Sequence, residues 1–349
     1  MKKFFYGTLA ACVMLVLLTV ALSSCRAAPK ENRPEQGVDL LLSVELGGME
    51  QWITLRGDDR NNPLLLWLHG GPGSSQMPVA HEYDSLLEKE FVVVHWDQRG
   101  AGKSNPRDFN EGTMSQNRFV QDCHELTLYL KRTWHRDSIY LLGHSWGSQL
   151  GVLTARRYPE DYRAYIGLSQ VVDPLEAHVL GEHWLRETLR SQGKKRDLKK
   201  LDRLDGPPYH DHGDFVTFIK MVDRYGGSFD VPMGRLARIA LASPYYSLSD
   251  LGRWIKGANR GSGPMWKEAL AFSTFRDVPL LDLPVFIIAG ANDWNTPAEL
   301  AESWSRSVES PKGCEFILFP QAAHTPCFAD PVRFAAVLSE IKSRVESQP

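Results

Sequence analysis

Apolar positions along this chain follow two rhythms in turn, short unbroken runs and a spacing of three to four residues. Leu64-Leu65-Leu66-Trp67-Leu68 and Phe91-Val92-Val93-Val94 are apolar at every position, which predicts strands buried on both faces. Runs at 138–142, 164–168, 285–289 and 314–319 also read as strands. Between them the spacing turns helical. Phe119, Cys123, Leu126, Leu130 and Trp134 share one face of a helix predicted over 115–134. Further helices are expected at 78–90, at 149–158, from Thr296-Pro297 to about 308, and from Asp330-Pro331 to about 345. Ahead of the first buried run, alternation around Gly47-Gly48 predicts a hairpin of 38–46 and 51–55. Strands alternating with helices imply an α/β fold, a mostly parallel sheet with helices on both faces.

The alternation lapses over 173–282. That span has helical patches at 175–190, 215–225 and 249–257, several Pro and Gly breaks, and no unbroken apolar run. It reads as a helical cap inserted between a first core segment, 38–172, and a second, 283–349. Within it, Lys194-Lys195-Arg196-Asp197-Leu198-Lys199-Lys200 reads first as a solvated helix face, with contact to anionic lipid headgroups as the alternative. His210, His212 and Asp214 imitate a metal-ligand spacing, but they follow Gly206-Pro207-Pro208 in a turn-rich stretch with no further ligands. No metal site is expected there.

The N-terminus has its own pattern. Lys2 and Lys3 precede an apolar run over about 9–22, and Leu22-Ser23-Ser24-Cys25 follows. A basic start, a short apolar core and small residues describe an export signal over 1–25. The last four residues resemble a bacterial lipoprotein box, in which Cys25 would be lipidated and hold the chain at a membrane of the cell envelope. An uncleaved signal anchor is the alternative, although the run is short for a full span. Residues 26–37, polar and Pro-containing, then form a tether. Of the remaining cysteines, Cys123 lies on an apolar helical face, while Cys314 and Cys327 flank a strand and its loop and could pair.

A chain of 349 residues has room for one large α/β domain with an insertion. A formal net charge of −2 gives no electrostatic basis for a nucleic-acid partner. No cofactor is called for. The segment Asp97-Gln98-Arg99-Gly100-Ala101-Gly102-Lys103-Ser104 imitates a phosphate-binding loop, yet Asp97 stands at the first glycine position and Asn105-Pro106 follows instead of a helix. Asp97 and Arg99 are expected to form an ion pair bracing the loops. Oligomeric state is left open.

In parallel sheets ligands bind beyond the carboxyl ends of the strands. Five motifs fall at such ends: 69–73, 97–104, Ser145, Asp293 and His324. Gly143-His144-Ser145-Trp146-Gly147 sits between a predicted strand and a predicted helix, the context in which Gly-x-Ser-x-Gly exposes a serine on a sharp turn. A neutral hydroxyl is a poor nucleophile, so Ser145 needs a base, and His324 is the candidate. His324 in turn needs a carboxylate to fix its tautomer; Asp293 is preferred, with Asp173 as the alternative. Trp146 N–H and Gly71 N–H, with Gly70 as a close alternative, are the candidate donors to a developing oxyanion. His69 and His144 are expected to be structural.

At these residues the chain resembles the α/β-hydrolase superfamily and, within it, the proline iminopeptidase-like group. The resemblance is carried by His69-Gly70-Gly71-Pro72-Gly73, by 97–104, by Gly143 to Gly147, and by the positions of Asp293 and His324, and it covers about 40–172 and 283–345. It implies an α/β-hydrolase fold with a lid, and a serine aminopeptidase that releases N-terminal proline or a similar residue from small peptides through an acyl-enzyme. In that group lid glutamates hold the free amine. The aromatic-aromatic-Glu stretch that carries them is absent here, which leaves Glu182 and Glu187 beside Trp184, together with Trp294, as substrate-binding candidates. Gly206-Pro207-Pro208-Tyr209 and Asn295-Thr296-Pro297 look more like related hydrolases without an assigned substrate. The alternatives are an esterase, lactonase or amidase for a small non-peptide molecule, and a non-catalytic binding protein on the same scaffold.

Overall fold

A computed structural model describes residues 34–347. The proposed signal, Cys25 and all but the end of the tether lie outside the described residues.

Eight strands form one sheet in the order β1-β2-β4-β3-β5-β6-β7-β8. Strands β1 (Val38–Leu46) and β2 (Met49–Gly57) form the hairpin, and β2 pairs antiparallel with β4 (Val92–Asp97). From β4 onward every pairing is parallel, through β3 (Leu64–Leu68), β5 (Ile139–His144), β6 (Tyr162–Leu168), β7 (Val285–Gly290) and β8 (Cys314–Phe319). The unbroken apolar runs have the reason expected of them. In β3, Leu64, Leu66 and Leu68 enter one apolar core, while Leu65 and Trp67 enter a second core on the opposite face.

Helix α1 (Gln116–Trp134) starts where the Ser115 side chain accepts a hydrogen bond from Arg118 N–H and ends at His135 in the left-handed region. Its Phe119, Cys123, Leu126 and Leu130 are buried against the sheet. Helix α2 (Trp146–Arg157) follows β5, and α8 (Ala298–Ser307) and α9 (Pro331–Glu346) flank β8. The cap lies between β6 and β7 and carries α3 (Pro174–Ser191), α4 (Lys195–Leu201), α5 (His212–Arg224), α6 (Met233–Leu241) and α7 (Leu248–Arg260).

Several expectations need correction. The helix foreseen over 78–90 is reduced to Ala80–Tyr83 and one 3₁₀ turn, Leu87–Lys89. In this stretch Asp84 pairs with His95 Nε2 at 2.5 Å and Glu88 with Arg56 at 3.0 Å, both pairs buried. Arg99 does not pair with Asp97. It bonds Asp122 on α1 at 2.8 Å, whereas Asp97 Oδ2 accepts from Lys103 N–H at 2.6 Å and Tyr246 O–H at 2.5 Å. Burial pushes the Asp97 carboxyl up to about 6, with the hydrogen bonds from Ser75 and Tyr246 opposing the shift. Cys314 and Cys327 are both free, as is Cys123. Asp211 caps α5, so the His210–Asp214 stretch is used as a helix start.

Candidate active site

The turn between β5 and α2 is tight because the backbone requires it. Ser145 has φ 55° and ψ −123°, a conformation costly for a residue with a side chain, on the order of 1–3 kcal/mol. A Cβ on Gly143 would stand 2.2 Å from the Gly147 carbonyl oxygen, and one on Gly147 would stand 2.1 Å from the Leu68 carbonyl oxygen. Both glycines therefore let three pieces of backbone pass within contact of one another. Ser145 N–H bonds the Leu168 carbonyl at 3.0 Å, and Ser148 Oγ–H bonds the Ser145 carbonyl at 2.6 Å. The serine is thereby held by β6 behind it and by its own helix ahead.

His324 stands after β8, and its Nδ1–H donates to Asp293 Oδ2 at 2.8 Å. Asp293 is buried and fully bonded. Its Oδ1 accepts Asn295 N–H and Thr296 N–H, each at 2.9 Å, and its Oδ2 accepts Thr296 Oγ1–H at 2.6 Å. Burial alone would raise its pKa, but the adjoining His324 and these donors outweigh burial and hold it below the ordinary carboxylate value. The other ring nitrogen, His324 Nε2, lies 3.2 Å from Asn295 Nδ2. An amide N–H donating there and Nδ1–H donating to Asp293 are compatible in the neutral ring, which leaves the Nε2 lone pair as acceptor. Asp173, the alternative acid, instead caps α3 by accepting from Leu175 and Glu176 N–H.

The two flanking histidines bond backbone. His144 Nε2–H donates to the His324 carbonyl at 2.9 Å, and burial takes its pKa down to about 3. His69 Nδ1–H donates to the Gly70 carbonyl at 2.7 Å and its Nε2 accepts Gln98 N–H at 3.1 Å; burial lowers it to about 4. Gln98 links onward, accepting Trp146 Nε1–H at 3.1 Å. The glycine loop is close by: a Cβ on Gly70 would lie 3.1 Å from Ser145 Cβ.

Ser145, His324, Trp146, Gly70 and Gly71 all line one cavity of about 410 Å³. Its remaining wall is mostly apolar and comes largely from the cap, with Ala177, Phe215, Ile219, Leu236, Trp254 and Trp266 among the residues. The cavity thus brings together the serine, the histidine and both candidate N–H donors. The proposed substrate contacts are elsewhere. Glu182 accepts from Tyr209 O–H and Arg186 inside the cap, Glu187 pairs with Arg190 on the surface, and the Trp294 ring stacks on Trp184 at 5.4 Å. None of the three lines the cavity. Glu182 faces away because α3 turns it toward the cap's own small core around Leu185, Tyr209 and Phe218, and Trp294 packs against that same core. Asp173 is the one carboxylate among the described residues lining the cavity.

One functional contact has no sequence signature. Three consecutive backbone N–H groups of the histidine loop donate to the cap segment between α5 and α6. Ala323 N–H bonds Asp230 Oδ1 at 2.7 Å, His324 N–H bonds the Ser228 carbonyl at 2.9 Å, and Thr325 N–H bonds Asp230 Oδ2 at 2.7 Å. A lone Asp in a Gly-Gly-Ser-Phe-Asp stretch looks like any loop residue, and its partners are about ninety positions away.

Comparison with known proteins fits this geometry. A family model described as the alpha/beta hydrolase fold matches residues 63–331. A probable aminopeptidase, YbaC of Bacillus subtilis (strain 168), is 30% identical over 309 residues, covering 87% of this chain and 96% of that protein. A proline iminopeptidase of Heyndrickxia coagulans is 24% identical over 305 residues, 86% of this chain and 96% of its own. Among solved structures, a proline iminopeptidase from Mycobacterium smegmatis superposes with a TM-score of 0.63 at 18% identity, over 88% of this chain and 98% of its own. At that identity the superposition speaks for the fold.

Proposed function

The chain belongs to the α/β-hydrolase fold family, in its proline iminopeptidase-like group, and we propose that it is a membrane-tethered serine aminopeptidase acting on short peptides. The observation that carries the serine mechanism is the placing of Ser145, at a strained elbow, and the Asp293-bonded His324 on the wall of one cavity. In the proposed reaction Ser145 Oγ attacks the scissile carbonyl carbon while its proton passes to His324 Nε2. Asp293, held ionised by its donors, stabilises the imidazolium that results. The oxygen that gains charge is received by Trp146 N–H, at the positive end of α2, and by Gly71 N–H. Collapse of the tetrahedral intermediate returns the proton to the leaving amine, and water then releases the acyl group by the same route in reverse.

Short peptides with a free N-terminus suit the cavity, whose volume lies within the ordinary range for small ligands, about 300–1,000 Å³. Its apolar cap wall accommodates a proline ring or a comparable apolar side chain. Asp173 supplies the negative charge that an α-ammonium group seeks. The reading of substrate leans on the relatives, which are a probable aminopeptidase and a proline iminopeptidase. A lipid on Cys25 would place the enzyme at the cell envelope.

A second reading, an esterase or amidase for a neutral small molecule, is favoured by one observation: neither Glu182 nor Glu187 reaches the cavity. Purified full-length protein assayed on proline arylamide and on short acyl esters separates the two. Arylamide turnover that disappears in Ser145→Ala is the expected result. Ester turnover without arylamide turnover favours the second reading, and failure of a fluorophosphonate to label folded protein defeats both.

A further inference from the structure

The cap has an outer face that its role as a wall does not explain. On α6, Met233 and Leu241 are 55% and 60% exposed; on α7, Leu248 and Ile255 are 56% and 55% exposed. Leu248 and Ile255 lie seven residues apart, and Met233 and Leu241 eight, so each pair forms a stripe on one side of its helix. The inner sides of the same helices are well used, since Leu236, Ile239 and Leu251 pack with Met77 and Val79 of the core. Large apolar side chains grouped on one surface signal an interaction.

Three observations indicate what covers this face. The first is charge. Residues 231–262 carry five cationic side chains, Arg235, Arg238, Arg253, Lys256 and Arg260, against one acidic residue, Asp250. Asp250 is buried and bonded to Lys103 and Arg253, Glu111 pairs with Arg260 at 2.7 Å, and Glu82 approaches Arg235 at 3.9 Å. Arg235, Arg238 and Lys256 are exposed on the same two helices as the apolar stripes. The second is where the chain enters the domain. Asp39, at the start of β1, accepts a hydrogen bond from Tyr245 in the turn joining α6 to α7 at 2.5 Å, and Leu41 packs against the same cluster. The third is the cavity. Met233 and Ile255 are exposed and also line it, so the cavity mouth opens on this face.

We infer that the outer face of α6 and α7 docks on an anionic lipid surface, with Met233, Leu241, Leu248 and Ile255 entering the headgroup boundary and Arg235, Arg238 and Lys256 meeting lipid phosphates. The described chain begins beside this face, and the inference rests on the tethering proposed for Cys25. The cavity then draws its substrates from the lipid–water boundary, which favours peptides or other amides with an apolar tail over strongly hydrophilic ones.

The test uses full-length protein with an environment-sensitive nitrobenzoxadiazole label at Leu241→Cys, in a Cys314→Ser background, on vesicles of phosphatidylglycerol or phosphatidylcholine. A label at Lys312→Cys, at the far end of β8 from the cavity, is the reference. A blue shift at position 241 on phosphatidylglycerol, absent at 312 and abolished by R235E/R238E/K256E, is the expected result. No shift at 241, or equal shifts at both positions, overturns the docking. An equal shift on phosphatidylcholine overturns the choice of an anionic surface. A shift that grows with protein concentration without vesicles overturns it in favour of a second copy of the chain. Turnover of a soluble arylamide by the charge-reversed variant stays at the wild-type level, so failure of this inference is distinct from failure of the peptidase reading.

Discussion

Ser145 and His324 face the same cavity, yet what holds each of them comes from different parts of the molecule. The serine is fixed by neighbours in sequence and in the sheet: Gly143 and Gly147, the Leu168 carbonyl, and Ser148 one turn along its own helix. The histidine is fixed by Asp293, by the cap through Ser228 and Asp230, and by the core through Ser169 Oγ–H, which donates to its carbonyl at 2.9 Å. Its one direct bond to the serine's strand is the His144 ring on its carbonyl. The elbow is thus a property of the core, whereas the base is held by the core and the cap together.

The comparison can be broken first at the elbow. Gly147→Ala pushes a methyl to 2.1 Å from the Leu68 carbonyl, against backbone that cannot yield. We expect loss of folded, soluble protein, read by yield and circular dichroism; a folded and active variant would mean the elbow is more pliable than its contacts require. On the histidine side the fold should survive. Asp293→Asn is expected to lower kcat by about 10⁴ with folding retained, because an amide favours the wrong tautomer. Near-normal turnover would move the acid's role to another residue.

Asp230→Asn probes the cap's share. It keeps the shape but replaces one acceptor oxygen with a donor facing an N–H group. A misplacement of the base by about 1 Å costs up to about 10² in kcat. We expect a loss approaching that size, with KM little changed and thermal stability only slightly lowered. A loss of stability with kcat intact would make Asp230 purely structural.

The smallest and most graded effect concerns the buried histidines. His144, His69 and His178 have folded-state values near 3, 4 and 4, all lowered by burial from 6.5. Groups depressed in this way contribute stability that is present above 6.5 and lost as pH falls toward those values. Asp97, raised to about 6, acts oppositely, binding a proton in the fold before it would in the open chain. Three protons gained on unfolding against one lost leaves two. Stability should therefore fall by on the order of 2–3 kcal/mol per pH unit between about pH 6 and 4.5. Urea midpoints at pH 7 and pH 5 test this, and equal midpoints would show the histidines charged in the fold.

The same contrast governs what could be read from the chain alone. The sheet was legible because strands buried on both faces leave unbroken apolar runs, and the elbow because its chemistry is packed into five consecutive residues. The Asp293–His324 pair was legible through its place at successive strand ends. The Asp230 clamp was not, since nothing local distinguishes a carboxylate that caps loop N–H groups from one in water. Glu182 misled for a related reason. Its position on α3 is evident from spacing, but which way that helix turns depends on Tyr209 and Phe218, supplied by a loop and another helix. The Arg99 partner failed likewise, because Asp122 lies on α1 and only folding brings it within 2.8 Å.

The free cysteines have a consequence of a different kind. Cys123 and Cys327 are buried and Cys314 half-buried, and burial pushes the Cys123 thiol up to about 12 and the Cys314 thiol up to about 11. Thiolate is the form that reacts with oxidants and with disulfides. At neutral pH almost none is present at these positions. Once folded, the described domain therefore keeps all three thiols in an unreactive form and carries no disulfide among its described residues.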